Sequence, residues 1–272
     1  MAALSFAKMH GAGNDFVVIA AADLAASGIE LDVEAIARLC DRRLGIGADG
    51  LLVVEPTADA DFRMTYYNSD GGEAEMCGNG ARCSFAFAYA RELVGRQGTF
   101  VSAAGKHAGR FTDDGDVAVS LTSPCDVALN IDAGVDHPFA VVHKANTGVP
   151  HLVVPVDDIE AVDVTLWGRA LRLSSAFAPA GTNVNWVQRR PDGVWLIRTY
   201  ERGVEAETLA CGTGASASGL VLCLLGAAES PVHLLTRGGD RLTIAVEDPH
   251  GSPALELTGP AVTAFRGEVT VP

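Results

Sequence analysis

The sequence is short of positive charge. Its 272 residues include 20 Lys and Arg against 34 Asp and Glu, which gives a formal net charge of −14. Such a chain repels the phosphate backbone of DNA or RNA, and no local cluster of Lys and Arg offsets this repulsion. We therefore expect no nucleic-acid partner.

Lysine itself is scarce, and the cysteines are not spaced as metal ligands. The three lysines are Lys8, Lys106 and Lys144, and none lies in a motif typical of the lysine that binds pyridoxal phosphate in one class of racemases. The six cysteines form no C-x-x-C pair and no Cys/His spacing typical of zinc sites. We expect neither a metal nor an organic cofactor.

Signals for secretion and for membrane insertion are also missing. The first ten residues, MAALSFAKMH, have neither the basic start nor the long apolar run of a signal peptide, which favours a cytoplasmic location with reduced cysteines. No charge lies between Glu207 and Glu229, but Thr, Gly, Ser and Ala dominate the first half of this segment. We predict a helix buried inside the protein here, not a membrane span.

Two cysteines lie in nearly the same local sequence. Cys77 lies in MCGNGARCSFA, and Cys211 lies 134 residues further along the chain in ACGTGASASGL. Glu-Ala-Glu precedes the cysteine in both places, and similar segments farther upstream keep a nearly constant offset. The chain therefore contains two copies of one unit.

Most segments of each copy have the composition of strands, including a short one at Val141–Val142. Helices are predicted at the apolar stripe from Val33 to Cys40 and after each of the two repeated cysteines. These patterns predict an α+β fold in which each half is a curved mixed sheet around one central buried helix. We expect the halves to be residues 1–123, which a C-terminal strand at 265–272 can complete, and residues 124–264.

A cysteine at the start of a glycine-rich helix can act as a base. The Gly-x-Gly after it allows a tight turn and a close approach of a ligand to the backbone N–H groups. Those groups and the helix dipole bind a carboxylate, and they lower a thiol pKa from about 8.5 to as little as roughly 3.5. If both cysteines meet at one carboxylate, a thiolate can remove the proton from the adjacent carbon while the opposite thiol delivers another. The pattern thus predicts inversion of a stereocentre by two bases.

The remaining four cysteines lack this glycine-rich setting. We interpret Cys40, Cys83, Cys125 and Cys223 as small buried core residues.

A series of motifs along the whole chain resembles the diaminopimelate epimerase family. The motifs are MHGAGNDF (9–16), GIGADG (45–50), NSDG (68–71), EMCGNGARC (75–83), TGVPH (147–151), GTNVN (181–185), YERG (200–203) and ACGTGA (210–215). The resemblance implies a cofactor-independent isomerase that interconverts L,L- and meso-2,6-diaminopimelate for lysine and peptidoglycan synthesis. It also implies a homodimer, and two pseudo-symmetric halves with the site between them.

The resemblance assigns roles to individual positions. Its catalytic cysteines fall on Cys77 and Cys211, and we expect His151 to orient or tune a cysteine. Gly50 and Val149 depart from the family pattern, in which a substrate-contacting glutamine and an asparagine are frequent, so recognition of the distal end of the substrate stays open. The substrate-binding positions are Asn14, Asn68, Gly78, Asn79, Asn183, Glu201, Arg202, Gly212 and Thr213.

Other functions are compatible with parts of the sequence. A protein that only binds an amino acid between two lobes would need the glycine-rich turns but not the thiols, whereas a racemase of another amino acid, such as histidine, would need both. A cysteine hydrolase could use His10 or His151, but it would leave the second cysteine without a purpose. Gly45-x-Gly47-x-x-Gly50 has the spacing of a dinucleotide fingerprint, but the predicted strand follows it instead of preceding it.

Overall fold

A computed structural model describes residues 3–74 and 76–270 and divides the chain into two compact units. The first unit extends to Val119 and resumes at Gly259, and the second comprises Ser120–Thr258. The first part of the first unit ends four residues before the expected residue 123, and its second part begins six residues before the expected residue 265.

Strands and helices follow a similar, but not identical, order in the two units. In chain order they are β1 (Ala3–Gly11), β2 (Asn14–Ala20), α1 (Ala21–Ser27), α2 (Val33–Cys40), β3 (Gly50–Glu55), β4 (Phe62–Asn68), β5 (Glu73–Ala74), α3 (Gly78–Ala90), β6 (Gln97–Ser102), β7 (Gly105–Phe111), β8 (Val117–Ser120), β9 (Cys125–Ala128), β10 (His143–Asn146), β11 (Pro150–Pro155), α4 (Val164–Arg172), a 3₁₀ turn (Ser175–Phe177), β12 (Asn183–Arg189), β13 (Trp195–Glu201), β14 (Ala206–Thr208), α5 (Gly212–Leu224), β15 (Val232–Leu235), β16 (Arg241–Glu247), β17 (Ala254–Gly259) and β18 (Val262–Thr270).

The two units share one order of strand pairing. In the first unit, β18, β1 and β2 are successively antiparallel, β2 and β3 are parallel, and β3 and β4 are antiparallel. β4 is antiparallel to β5 and parallel to β6. The pairs β6–β7 and β7–β8 are antiparallel. The second unit repeats this order from β9 to β17, with β11–β12 and β13–β15 as its parallel pairs. The repeated order confirms the predicted duplicated α+β fold.

One buried helix packs against a face of each sheet. α3 contacts β1, β2, β3, β4 and β7, and α5 contacts β10, β11, β12, β15 and β16. All residues of α5 from Gly212 to Cys223 are buried, which explains why this stretch of sequence carries no charge. No helix in the described part of the chain is long and apolar enough to cross a membrane.

The other face of each sheet packs against a second helical layer. Because side chains alternate along a strand, Leu51 of β3 points to the apolar cluster that contains Ile36 and Leu39 of α2. In the second unit, Trp186 of β12 packs in the cluster that contains Leu171 of α4. The alternate residues of β3 and β12 consequently face α3 and α5.

Two sequence expectations are wrong. Val141 and Val142 lie in no strand, because the carbonyl of Val142 accepts a hydrogen bond from the N–H of the loop residue Ile131, and β10 begins only at His143. Cys125 is not buried. It is exposed together with the next two residues of β9. Cys40, Cys83 and Cys223 are buried, as predicted.

Candidate active site

Cys77 and Cys211 each occupy the N-cap of the buried helix of their unit. Both have extended backbones, with φ and ψ of −137° and 117° at Cys77 and −124° and 111° at Cys211. The N–H of Gly80 donates to Cys77 Sγ at 3.5 Å, and the N–H of Gly214 donates to Cys211 Sγ at 3.4 Å. Each sulfur thus takes the place of the side-chain oxygen that usually caps a helix, where the helix dipole favours a thiolate.

In the first unit, Asn14 connects Cys77 to the start of α3. Asn14 Oδ1 accepts a hydrogen bond from Asn79 Nδ2 at 3.2 Å and lies 3.5 Å from Cys77 Sγ, a contact in which the thiol donates. Asn14 Nδ2 donates to Asp49 Oδ2 at 2.8 Å, which sets the orientation of the amide because a carboxylate only accepts. The predicted residues Asn14 and Asn79 are therefore beside Cys77. Asp49 was missed, although it lies in the GIGADG motif.

Arg82 is a second residue near Cys77 that was not predicted from the sequence. Its guanidinium is fully buried and donates to Gly78 O at 3.2 Å, to Asn79 Oδ1 at 2.9 Å and to Pro260 O at 3.3 Å. The Asn79 amide is thereby fixed with its oxygen toward Arg82 and its nitrogen toward Asn14. An arginine within an otherwise uncharged helix was the available signal, because a buried charge needs hydrogen-bond partners.

Asn68 and Gly50 are partners in the register of β3 and β4. Asn68 is exposed, and its backbone N–H donates to Gly72 O at 2.8 Å. A Cβ on Gly50 would lie 2.6 Å from Tyr67 O and 2.7 Å from the ring of Tyr66, so the sheet leaves no room for a glutamine here. The aromatic ring of Tyr66 fills the space that Gly50 leaves.

In the second unit, a chain of polar side chains leads through the core to Cys211. Thr199 Oγ1 donates to Asn185 Oδ1 at 2.9 Å, and Asn185 Nδ2 lies 3.2 Å from His151 Nδ1. His151 Nε2 lies 2.9 Å from Thr213 Oγ1, which lies 3.4 Å from Cys211 Sγ. All five side chains are buried. The structure thus brings the predicted residues His151 and Thr213 together with Cys211, and it adds two members that were not predicted.

His151 is neutral at physiological pH. Burial lowers its pKa from 6.5 to about 3, and the positive charge of Arg202 adds to the shift. A histidine with this pKa does not take up the proton that a substrate loses near pH 7, so it is not the base of a reaction at this site.

Because His151 is buried in its neutral form, it makes the stability of the protein depend on pH. The unfolded chain takes up a proton at this residue below about pH 6.5, whereas the folded chain does so only near 3, so stability falls as the pH falls between these values. From pH 7 to pH 5, the unfolding free energy of the native protein should drop by about 2 kcal/mol more than that of His151→Gln. Urea unfolding at both pH values measures this difference.

His250→Gln is the matched control for this experiment, because His250 is exposed. It should keep the pH dependence of the native protein. An equal drop in the native protein and in His151→Gln would contradict the neutral assignment of His151.

Asn183, Glu201 and Arg202 meet near the ends of β12 and β13. Asn183 Oδ1 accepts from the backbone N–H of Arg202 at 2.8 Å, and Asn183 Nδ2 donates to Pro150 O at 3.0 Å. Arg202 Nη1 donates to Ala180 O at 3.1 Å, and Glu201 is the last residue of β13. The structure therefore places these three predicted residues together, and it uses the Asn183 amide to brace the backbone around them.

The thiols of the other buried cysteines have raised pKa values. Burial raises the pKa of Cys83 to about 12 and that of Cys40 to about 11, and it also raises the pKa of Cys223. These thiols stay protonated at physiological pH. Within residues 3–74 and 76–270, no group of three His, Cys, Asp or Glu side chains could hold a metal ion.

Comparisons with known proteins agree along nearly the whole chain. The family model described as diaminopimelate epimerase matches residues 6–125 and 143–264. A diaminopimelate epimerase of Aquifex aeolicus is 41% identical over 280 residues, which cover 98% of each chain, and one of Aromatoleum aromaticum is 42% identical over 282 residues, which cover 98% of this chain and 99% of the relative. The crystal structure of a phenazine biosynthesis protein of the PhzF family from Bacillus anthracis has the same fold, with a TM-score of 0.73, 16% identity and full coverage of both chains.

Proposed function

Since the chain belongs to the diaminopimelate epimerase family and is an isomerase, we propose that Cys77 and Cys211 invert an α-carbon of 2,6-diaminopimelate as a pair of bases. The observation that supports this most is the matched pair of cysteine N-caps on the two buried helices. Each sulfur receives a backbone N–H, and each is followed by first-turn N–H groups that can bind a carboxylate.

In the proposed reaction, one cysteine is a thiolate and the other a thiol. The thiolate takes the α-proton, and the electron pair of the broken C–H bond is delocalised into the adjacent carboxylate. The thiol then gives its proton to the opposite face of the carbon, so the protonation states of the two sulfurs are exchanged and the stereocentre is inverted. The mechanism requires that both sulfur atoms reach one α-carbon.

In this proposal, the backbone N–H groups at the two helix starts stabilise the carbanion-like transition state. N–H groups aimed at the carboxylate act where negative charge develops, and one such donor is typically worth about 2.7–4 kcal/mol. We assign this task to the backbones of Gly78, Asn79, Gly212 and Thr213.

The remaining predicted residues would recognise the ends of the substrate. Arg202 can form a two-pronged contact with the distal carboxylate, and side-chain oxygens can accept hydrogen bonds from the ammonium groups. We assign the second task to Asn14, Asn68, Asn183 and Glu201. The proposal extends to a homodimer in the cytoplasm that supplies lysine and peptidoglycan synthesis without a cofactor.

The activity is tested by incubating the purified, reduced protein with L,L-diaminopimelate and separating the stereoisomers by chiral chromatography. We expect the meso isomer to form, and single amino acids such as histidine to remain unchanged under the same conditions. Racemisation of a single amino acid without conversion of diaminopimelate would favour the alternative racemase instead. Binding of diaminopimelate without conversion would favour the non-enzymatic alternative.

A further inference from the structure

We infer that Asn185 and Thr199 are positioning residues that keep the proton of His151 on Nε2 and thereby direct the hydroxyl of Thr213 at the sulfur of Cys211. The inference rests on the proposed role of Cys211 as a base. It concerns residues that neither touch the sulfur nor belong to the predicted substrate-binding set.

The hydrogen-bond partners of the Asn185 amide fix its orientation. Asn185 Nδ2 lies 2.8 Å from Leu152 O, and because a carbonyl oxygen only accepts, the atom that faces it must be the nitrogen. Asn185 Oδ1 on the other side accepts the hydroxyl proton of Thr199 at 2.9 Å. The second amide proton of Asn185 therefore points to His151 Nδ1, 3.2 Å away.

The tautomer of His151 follows from this orientation. Because Asn185 Nδ2 is a donor, His151 Nδ1 must be the acceptor, and a neutral imidazole then carries its single proton on Nε2. Nε2–H donates to Thr213 Oγ1 at 2.9 Å. All four side chains are buried, which limits competition from water.

The hydroxyl of Thr213 is the last link. Its oxygen accepts from His151, which leaves its own proton to be donated to Cys211 Sγ at 3.4 Å. The backbone of Thr213 is held as well, because Thr147 Oγ1 donates to Thr213 O at 2.8 Å. The N–H of Gly214 also donates to this sulfur, and donors to the charged form of a thiol favour the thiolate.

The fold places this chain of hydrogen bonds by register. Asn183 and Asn185 alternate on β12, so both side chains lie on the face that packs against α5, and Thr199 of β13 is the direct partner of Asn185. The first turn of α5 passes close to this amide at Gly214. A Cβ on Gly214 would lie 2.2 Å from Asn185 Oδ1, so a glycine is needed at this position. The glycine at position 214 therefore leaves room for the Asn185 amide beside the start of α5.

The tautomer can be measured in the unmodified protein. In long-range ¹H–¹⁵N spectra of uniformly labelled protein at neutral pH, we expect His151 Nδ1 to resonate as an unprotonated nitrogen and Nε2 as a protonated one. Comparison with His151→Gln identifies the signals among the seven histidines. A proton on Nδ1, or on both nitrogens, would overturn the inference.

Variants test whether the chain of hydrogen bonds reaches the sulfur. Alkylation by iodoacetamide, quantified for each cysteine by mass spectrometry, gives the rate at Cys211 relative to Cys77 in the same sample. Asn185→Leu should lower this ratio about tenfold, because the hydrogen bond from the Thr213 hydroxyl to the Cys211 thiolate is lost. Thr199→Val should lower the ratio about threefold, because the same hydrogen bond is weakened. Thr199→Ser keeps the hydroxyl and should restore the native ratio.

Thr243→Val is the matched control. It removes another threonine hydroxyl that contacts a histidine in the same unit, at 3.0 Å from His233 Nδ1, and it should leave the ratio unchanged. A native ratio and a native tautomer in both Asn185→Leu and Thr199→Val would refute the inference. Neither readout uses the substrate, so failure of the proposed epimerisation would be recognised separately, in the activity assay of the unmodified protein.

Discussion

We expect Cys77→Ala and Cys211→Ala each to lower the rate of diaminopimelate epimerisation at least about 10³-fold. Proton transfer by a positioned side chain typically contributes 10²–10⁴-fold, and inversion by two bases has no alternative route when one of them is absent. In the proposed mechanism, each sulfur is needed in both directions of the reaction, as base in one and as acid in the other. Initial rates from L,L- and from meso-diaminopimelate measure both directions.

Two other cysteines provide controls for this result. Cys223 lies near the C-terminal end of α5, remote from the helix start that Cys211 caps, and Cys125 is exposed on β9. Cys223→Ala and Cys125→Ala should keep the native rates. A Cys77→Ala or Cys211→Ala protein that folds normally and retains full turnover would rule out the two-base assignment.

Gly214→Ala should have the second largest effect. By helix propensity alone, the change would stabilise α5 by about 1 kcal/mol. However, the new Cβ would lie 2.2 Å from Asn185 Oδ1, so either the buried amide or the first turn of α5 must move. Because the N–H of Gly214 donates to Cys211 Sγ, a shift of this turn displaces the sulfur that we propose as a base, and a misplacement of about 1 Å can cost 10²-fold in rate. We expect kcat to fall about 100-fold.

The repeat supplies the matched control for Gly214→Ala. Gly80 has the same place in α3, but a Cβ there would be nearest to the end of the Leu52 side chain, with Cδ2 at 3.2 Å, which can move aside, and it would lie at an ordinary contact distance of 3.5 Å from the Cβ of Cys77. Gly80→Ala should therefore lower kcat less than about tenfold. Equal effects of the two substitutions would contradict the steric account, and melting curves of both variants would show whether loss of folding contributes.

The two N-caps are alike in backbone and unlike in side chains. Cys77 contacts an amide oxygen of Asn14, whereas Cys211 contacts the hydroxyl of Thr213. Duplication thus preserved the helix start and its N–H donors, while the groups that surround each sulfur diverged. Such divergence is compatible with different roles for the two sulfurs in the proposed reaction.

Much of the fold could be predicted from the sequence because the signals are local and occur twice. The repeated cysteine motifs gave the duplication, and the uncharged run after Cys211 gave the buried helix α5. The helices α1 and α4 were not predicted. α1 buries no residue and therefore has no apolar stripe that faces the core, whereas the apolar stripe of α4 was overlooked. Cys125 was placed wrongly because residue type alone does not show that β9 begins with exposed residues.

The site was predictable as far as its motifs extend. Cys77, Cys211, Asn14, Asn79 and Thr213 all lie in the quoted motifs, and the structure places them at the two helix starts. Asn185 lies in a quoted motif as well, but its role depends on the partner across the sheet. Thr199 belongs to no motif, and only the register of β12 and β13 brings it to Asn185.

The two-base mechanism is tested most directly by converting a small fraction of L,L-diaminopimelate in deuterated water. The thiol protons exchange with solvent, so the cysteine that delivers a hydrogen carries deuterium while the opposite cysteine removes the original proton. We expect early meso product with deuterium at the inverted α-carbon and remaining L,L-substrate that still carries its α-proton. Early meso product that retains the original proton, or deuterium that enters substrate and product equally, would show that a single base acts on both faces.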